Sequence, residues 1–564
     1  MDPLHISYRF SIPGATPPPG NKQGYISAKR WSGILANAWF LAALAVAAVS
    51  VWAHMLIGLN NDHLTLTDQT RRMLAGQIPY VDYTDIGPPL IHLIYALPVT
   101  LAEHTGLPLY VALYGFTFAA IALALFTSER LLKYSGVVTL TRRTIIATLA
   151  IALLTVSFIH QVFADREHLM LVLATPWFIL YSPWVRRESV PLFWRLPAAA
   201  MAAVGFVIKP YFYVFYIATI AFELYRKRSL STFGALLRQP EHYIVCGFAL
   251  AYIAAIFIFF HTYITTIMPV GLETYGAISW AWDDKMSVIK NDLITGYALT
   301  GFLALLVVWL WVPGFYDTII TYVLFLMLAS IGSYVLNGGW YYTQYPFMVL
   351  AFALMVATGG KLIQACTYKN QRIALIVICA LLAAGLYHYY ADPIIDRAKS
   401  DIAVQRDRGH PLENPEIQVA AATKLDTHFT GHPRFIFLST NFWSVNLRKT
   451  GTPRDNVGRF DYLWPLPGIV AMDNHPDKKK TQDWLTRYMG ESVADDLNRH
   501  MPDMVIVDIS PYQRALPTSY KILGFFNRNP QFVTAWRHYR LVDTINACNK
   551  DTEADCAYEV YYRN

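Results

Sequence analysis

Charge is what this sequence has least of. Asp, Glu, Lys and Arg make up 15% of its 564 residues, against roughly 25% in soluble globular domains. A chain this long and this poor in charge cannot cover a water-facing surface, which excludes a soluble enzyme, a disordered protein and a nucleic-acid binder together. Cysteine is also scarce: five in the whole chain do not make a disulfide scaffold. No Walker A, GxGxxG, HExxH, GxSxG or CxxC pattern occurs, so ATP-driven transport and zinc proteolysis have no support. What fills the space is apolar: hydrophobic types reach 55% and the mean hydropathy is +0.31. The net charge of +7 needs no anionic partner, because cytoplasmic loops of membrane proteins are rich in Lys and Arg.

A membrane-crossing helix needs about 20 apolar residues. By that measure the sequence predicts eleven spans, near 34–59, 107–128, 144–160, 168–184, 196–209, 210–225, 243–262, 297–312, 317–336, 344–360 and 372–390. The first is too long for a cleaved signal. The fifth and sixth are short and meet at Lys209-Pro210, where a helix must break. With the N-terminus inside, the inner loops carry Arg130, Lys133, Arg142, Arg143, Arg186, Arg187, Arg195, Arg226, Lys227, Arg228, Arg238, Lys361, Lys369 and Arg372, fourteen cations. The outer loops carry five: Arg71, Arg72, Arg166, Lys285 and Lys290. The positive-inside rule therefore predicts a cytoplasmic N-terminal segment 1–33, a membrane module 34–390 and an extracytoplasmic tail 391–564. The tail is charged, with strand-like runs at `RFIFLST` and `DMVIVDIS` and a helix-like `TQDWLTRYMGESVADDLNRHM`. It reads as a soluble α/β domain in which a Cys548–Cys556 disulfide is permitted. The expected fold is thus mainly α: a polytopic helical membrane protein with a C-terminal α/β domain.

Candidate chemistry converges on the predicted outer face. The first outer loop, 60–106, holds Asp62, Asp68, Asp82 and Asp85, then Pro88-Pro89 and an amphipathic run suited to the membrane surface. Asp62, just ahead of a helical pattern, also reads as a helix cap. Asp165, Arg166 and Glu167 open the fourth span; carboxylates at a bilayer boundary are costly unless paired or functional. Lys209 stands alone between two apolar helices, placed to bind an anion or to snorkel. `NGGWYYTQYP` at 337–346 offers Tyr342 and Gln344, either to a sugar or as interfacial anchors, and Asp283 and Asp284 lie in another outer loop.

These residues together resemble the GT-C superfamily of polyprenyl-phosphate-dependent glycosyltransferases, in its protein O-mannosyltransferase and lipid A aminoarabinose transferase branch. Asp62 lies eleven residues before Met73, followed by Ala75-Gly76, Pro79-Tyr80 and Pro88-Pro89-Leu90; a second acidic residue, Asp165 or Glu167, opens the fourth span; and Lys209-Pro210 matches a Lys-Gly-Pro segment without its glycine. Two departures are plain: the family's Lys-Pro-Pro-Leu is Gly87-Pro88-Pro89-Leu90 here, and its Asp-Glu pair is Asp62-His63. The resemblance implies inverting sugar transfer on the outer face of a bacterial inner membrane, in cell-envelope glycan or lipid decoration. The donor is a polyprenyl-phosphate sugar and the acceptor a glycan, lipid or protein. It implies Asp62 as base, Asp165 or Glu167 as the acceptor-orienting or second acidic group, and Lys209, or an arginine such as Arg166, as the phosphate binder; Asp85, Tyr342 and Gln344 are further substrate contacts read from the residues themselves. Members of the superfamily differ in whether they hold a divalent metal, and no metal ligand is assigned here. The competing expectations are a transporter or lipid-linked-sugar flippase, which the broken fifth and sixth spans would suit, and a non-catalytic scaffold. The absence of an inverted repeat and the clustering of acidic groups on one face count against the transporter.

Overall fold

The computed structural model describes residues 37, 39–54, 59–159, 162–228, 231–278, 318–336, 341–354, 427–429, 431, 433–441, 455–511, 513, 515–548 and 555–564. Its helices are α1 (Trp39–His54), α2 (Asn61–Leu74), α3 (Leu90–Thr105), α4 (Leu109–Tyr134), α5 (Thr139–Ile159), α6 (Arg166–Leu180), α7 (Leu192–Val207), α8 (Tyr213–Lys227), α9 (Ser231–Leu237), α10 (Pro240–Phe259), α11 (Met268–Ile278), α12 (Thr318–Leu336) and α13 (Tyr345–Leu354). Among them α4, α10 and α12 are long and apolar enough to cross a membrane, and α1, α7 and α13 are apolar but shorter. Of the eleven expected spans, 297–312 and 372–390 lie outside the described residues, as do Asp283 and Asp284. Each of the other nine overlaps a helix.

The bundle is centred on α6, which is buried around almost its whole circumference and packs against α4 and α7. A helix apolar on all sides belongs in such a position. α10 shows the complementary pattern: it packs on α7 while Leu250, Phe257, Ile258 and Phe259 stand exposed, an apolar face suited to lipid. α3 likewise turns Leu93, Leu97 and Leu101 outward at four-residue spacing and buries Ile91, Tyr95 and Val99 behind them, which is the amphipathic surface helix expected from the sequence.

The chain does break at Lys209, whose backbone is extended, and a 3₁₀ turn over Pro210–Phe212 leads into α8. At the far end of the bundle, Arg187 at the approach to α7 pairs with Glu223 near the end of α8 (2.6 Å), and Arg195 pairs with Glu241 at the start of α10 (2.7 Å). α7 and α8 therefore run antiparallel, with Lys209 at their turn. Tyr181, His242, Tyr216 and Cys246 extend this far layer by hydrogen bonds.

The C-terminal residues form a five-stranded sheet in the order β2-β1-β3-β5-β4, with β1 (Arg434–Leu438), β2 (Asp455–Asn456), β3 (Met504–Asp508), β4 (Tyr539–Cys548) and β5 (Asp555–Arg563). β1 is parallel to β2 and β3, and the β4–β5 hairpin joins antiparallel at β3. The two strand-like runs read from sequence are β1 and β3. Alternation sends Phe435 and Phe437 to one buried face and Ile436 and Leu438 to the other. The second face packs against α14 (Leu466–Ala471) and α15 (Lys479–His500), the latter being the helix-like run of the sequence. Two short helices, α16 (Ile522–Phe526) and α17 (Pro530–Trp536), close it. The register sets Cys556 opposite Ala547 and Cys548 opposite Asp555. The side chains of both cysteines, and with them the disulfide expectation, lie outside the described residues.

The sheet unit docks on the helical part through two seams. Leu466, Ile469 and Trp464 share a core with Tyr80, Tyr263, Ile267 and Val270. At Gly468 a Cβ would collide with the Thr274 carbonyl oxygen, so α14 and α11 touch through backbone. Gly468→Ala is accordingly predicted to lower stability by about 1–3 kcal/mol, the usual result of forcing atoms into a packed contact. Thermal unfolding of the full chain checks this, and an unchanged midpoint would refute the close approach.

Candidate functional site

The sequence places Asn60-Asn61-Asp62-His63 at a helix start, and the structure makes Asn60 the cap. Its Oδ1 accepts from the His63 backbone N–H (2.8 Å), and the Asn60 N–H reaches back to His63 Nδ1 (3.3 Å). This is a capping box with histidine in the position usually held by Glu or Gln. The expectation that Asp62 itself caps the helix is therefore corrected: Asp62 is the second residue of the first turn, two positions past the cap, and its carboxylate is free of that task.

The capping box also reaches across to α6. His63 is buried, and burial holds its imidazole down, to about 4, so it is neutral. With Nδ1 facing the Asn60 N–H, the ring proton is on Nε2, which faces Asp165 Oδ1 at 3.3 Å. Asn60 Nδ2 donates to Asp165 Oδ2 at 3.1 Å. Asp165 Oδ2 is thus hydrogen-bonded, while Oδ1 lies against the His63 ring without a hydrogen bond. The residue before it, Ala164, adopts a left-handed backbone (φ 69°), held by the Tyr95 hydroxyl on its carbonyl and by its own N–H on His168 Nδ1. Non-glycine residues rarely take this conformation, and strain of this kind gathers at functional sites.

Glu167 is engaged as well. Lys209 Nζ meets its Oε1 at 2.5 Å, and both side chains are buried. Lys209 is not the lone cation the sequence presents; its neutralising partner lies 42 residues earlier, brought over by the packing of α6 on α7.

Two carboxylates remain at the rim. Asp62 keeps 34% of its side chain exposed and pairs through Oδ2 with the Arg166 guanidinium at 3.3 Å. Asp85, from the loop between α2 and α3, is 13% exposed, with His92 Nε2 3.8 Å from its Oδ2. Gly87 lies against both partners: a Cβ there would stand 2.7 Å from Asp85 Oδ2 and 3.3 Å from an Arg166 nitrogen. The Arg166 guanidinium therefore comes within reach of the backbone at Gly87, the position of the lysine in the resembled Lys-Pro-Pro-Leu. The Tyr80 hydroxyl, on a residue also at positive φ, fixes the Gly87 carbonyl at 2.7 Å.

The sheet unit closes the site from one side. Arg72 and Gln69 of α2 donate to Asp461, the Thr84 N–H donates to the Arg459 carbonyl (2.8 Å), and Arg499 pairs with Asp82 (3.1 Å). Tyr345 of α13 meets His168 edge-on, with the neighbouring Gln344 buried. The side chain of Tyr342 lies outside the described residues. Among the described residues no group of three or more His, Cys, Asp and Glu side chains could hold a metal ion.

Asp62, Asp85, Asp165, Arg166, Glu167 and Lys209, all singled out from sequence, thus meet at one end of the bundle. Sequence reasoning passed over Asn60, His63, Tyr83 and His92. Asn60 and His63 could have been found from their three-residue spacing; nothing local marks Tyr83 or His92, which are placed by folding of the loop. No family model matches the chain, and no curated protein matches it.

Proposed function

We propose that the protein is a membrane glycosyltransferase that moves a sugar from a polyprenyl-phosphate donor to an acceptor hydroxyl, with inversion, at the extracytoplasmic face. The observation that carries this reading is the division of labour among the acidic groups. Asp165 and Glu167 are held by Asn60, His63 and Lys209, while Asp62 and Asp85 flank the Arg166 guanidinium at the accessible rim. Asp165 and Glu167 position; Asp62 and Arg166 act.

Asp62 takes the proton of the acceptor hydroxyl as its oxygen bonds to the anomeric carbon. The bond from that carbon to the phosphate oxygen breaks, and its electron pair leaves with the lipid phosphate. Arg166 offsets the charge that develops there, with a planar fork suited to phosphate. The products are a glycoside and a polyprenyl phosphate, and Asp62 returns its proton to water. The family lysine missing at Gly87 is replaced in function by Arg166, not by Lys209, whose charge is already balanced by Glu167.

The far layer with Arg187, Arg195 and Arg226 belongs on the cytoplasmic side by the positive-inside rule, which sets the site and the docked sheet unit outside. This accords with about eleven spans and a C-terminal extracytoplasmic α/β domain, in a chain acting on the cell-envelope glycan or lipid of a bacterial inner membrane.

The test is product formation by the purified chain in lipid, supplied with a polyprenyl-phosphate sugar. Arg166→Gln should raise the donor KM about ten- to a hundredfold, since a hydrogen bond to a charged group is worth roughly 1.5–3 kcal/mol. Donor binding without sugar release, or transport of intact donor, would overturn the reading.

A further inference from the structure

In the far layer, away from the candidate site, α4 ends in more positive charge than its neighbours balance. The Arg130 guanidinium sits over the Phe126 ring at 4.8 Å and the Trp194 ring at 5.9 Å. The two rings meet edge to face at 5.6 Å, so α4 and the first turn of α7 together form a shelf on which the cation rests. Ser189 Oγ donates to the Tyr134 carbonyl (3.2 Å), which ties this end of α4 to the turn carrying Arg187.

No nitrogen of Arg130 is hydrogen-bonded among the described residues. Its acidic neighbour, Glu129, stands 3.6 Å from Arg130 Nε and 3.6 Å from Arg142 Nε, so one carboxylate is shared between two guanidiniums. Lys133, exposed one turn along α4 from Arg130, adds a further cation on the same side of the helix.

What lies against this surface follows from its surroundings. α4 is long and apolar enough to cross a membrane, and Leu123 and Phe126 stand exposed on it, at 54% and 47%. Arg130 continues their stripe, about 10 Å along the axis from Leu123. Leu192 and Phe193 widen the apolar surface from the start of α7. A ligand that fits both parts has hydrocarbon beside Leu123 and Phe126 and an anion beside Arg130. A soluble phosphate lacks the first, and a zwitterionic headgroup brings its own cation to a surface already rich in them.

We infer that Arg130, on its Phe126–Trp194 shelf with Lys133 beside it, binds the headgroup of an anionic glycerophospholipid whose acyl chains run along α4. The planar fork donates to the phosphate oxygens while the flat of the guanidinium stays on the rings. The orientation given above sets this lipid in the cytoplasmic leaflet, and its binding does not depend on sugar transfer.

The experiment follows thermal unfolding of the full chain in nanodiscs of phosphatidylcholine that carry a rising fraction of phosphatidylglycerol. The wild-type midpoint should climb, because a ligand that binds only the folded state stabilises it. Arg130→Gln should need about fivefold more phosphatidylglycerol for the same climb, the worth of one cation at an anionic lipid surface. Lys227→Gln, at an exposed cation closing α8 in the same layer, should follow the wild-type curve. A flat wild-type curve would overturn the proposal. So would equal displacement in Arg130→Gln and Lys227→Gln, which would mean a diffuse surface potential in place of a site. Lys133→Gln repeats the comparison without disturbing the shelf, should Arg130→Gln prove unstable in phosphatidylcholine alone. It should displace the curve in the same direction, and a curve coincident with wild type would again overturn the site.

Discussion

Asp62→Asn is expected to lower sugar transfer by about 10²- to 10⁴-fold, the usual contribution of a general base. The thermal midpoint should hardly move. An amide keeps the shape of the carboxylate and can still meet Arg166, and the helix start does not depend on it because Asn60 and His63 supply the capping box. The same logic separates catalysis from structure at the neighbouring position. Asn60→Ala should cost about 1 kcal/mol of stability through the lost cap. A near-normal turnover number for Asp62→Asn would remove the base assignment and transfer it to Asp85, the other carboxylate at the rim.

The largest effect on stability is expected at Lys209. Lys209→Met removes the partner of a buried carboxylate, and an uncompensated buried charge typically costs 3–5 kcal/mol. The chain should unfold at markedly lower temperature or denaturant concentration. Replacing Glu167 by Gln in the same molecule should recover much of the loss, since no charge is then left without a partner. The alternative, in which Lys209 binds donor phosphate, makes a different forecast: a stable single variant with a raised donor KM, and no rescue by the second substitution. Unfolding of the single and double variants in parallel with donor titration decides between them.

What the sequence discloses of this site is set by the range of the forces involved. The break at Lys209-Pro210 is local, because proline cannot continue a helix, and it lies where expected. β1, β3 and α15 are equally legible from apolar runs and helical periodicity. The β4–β5 hairpin escapes notice because Leu541-Val542 followed by Asp543-Thr544 breaks the alternation at a register shift, and its place in the sheet depends on pairing with β3. The six charged residues of the site are visible as charges in a chain poor in them, but their pairing is not. Lys209 finds Glu167 and Arg166 finds Asp62 only when α6 packs beside α7 and the first loop folds over both. The capping role given to Asp62 shows the same limit at short range, where a shift of two residues decided whether a carboxylate was structural or available.

The two polar layers of the bundle lie at opposite ends of α6, a helix of fifteen residues, or about 22 Å. The hydrocarbon core of a bilayer is about 30 Å thick. With the bundle embedded as proposed, the two figures are reconciled by a membrane that thins around the protein or by a reaction centre seated below the plane of the surrounding headgroups. In both geometries Arg166 lies below the headgroup plane of the unperturbed bilayer. A phosphate borne on a long isoprenoid reaches it by sliding sideways within its own leaflet, while a water-borne substrate must descend to it. Depth alone then sorts the two substrates to different entrances before any side chain distinguishes them.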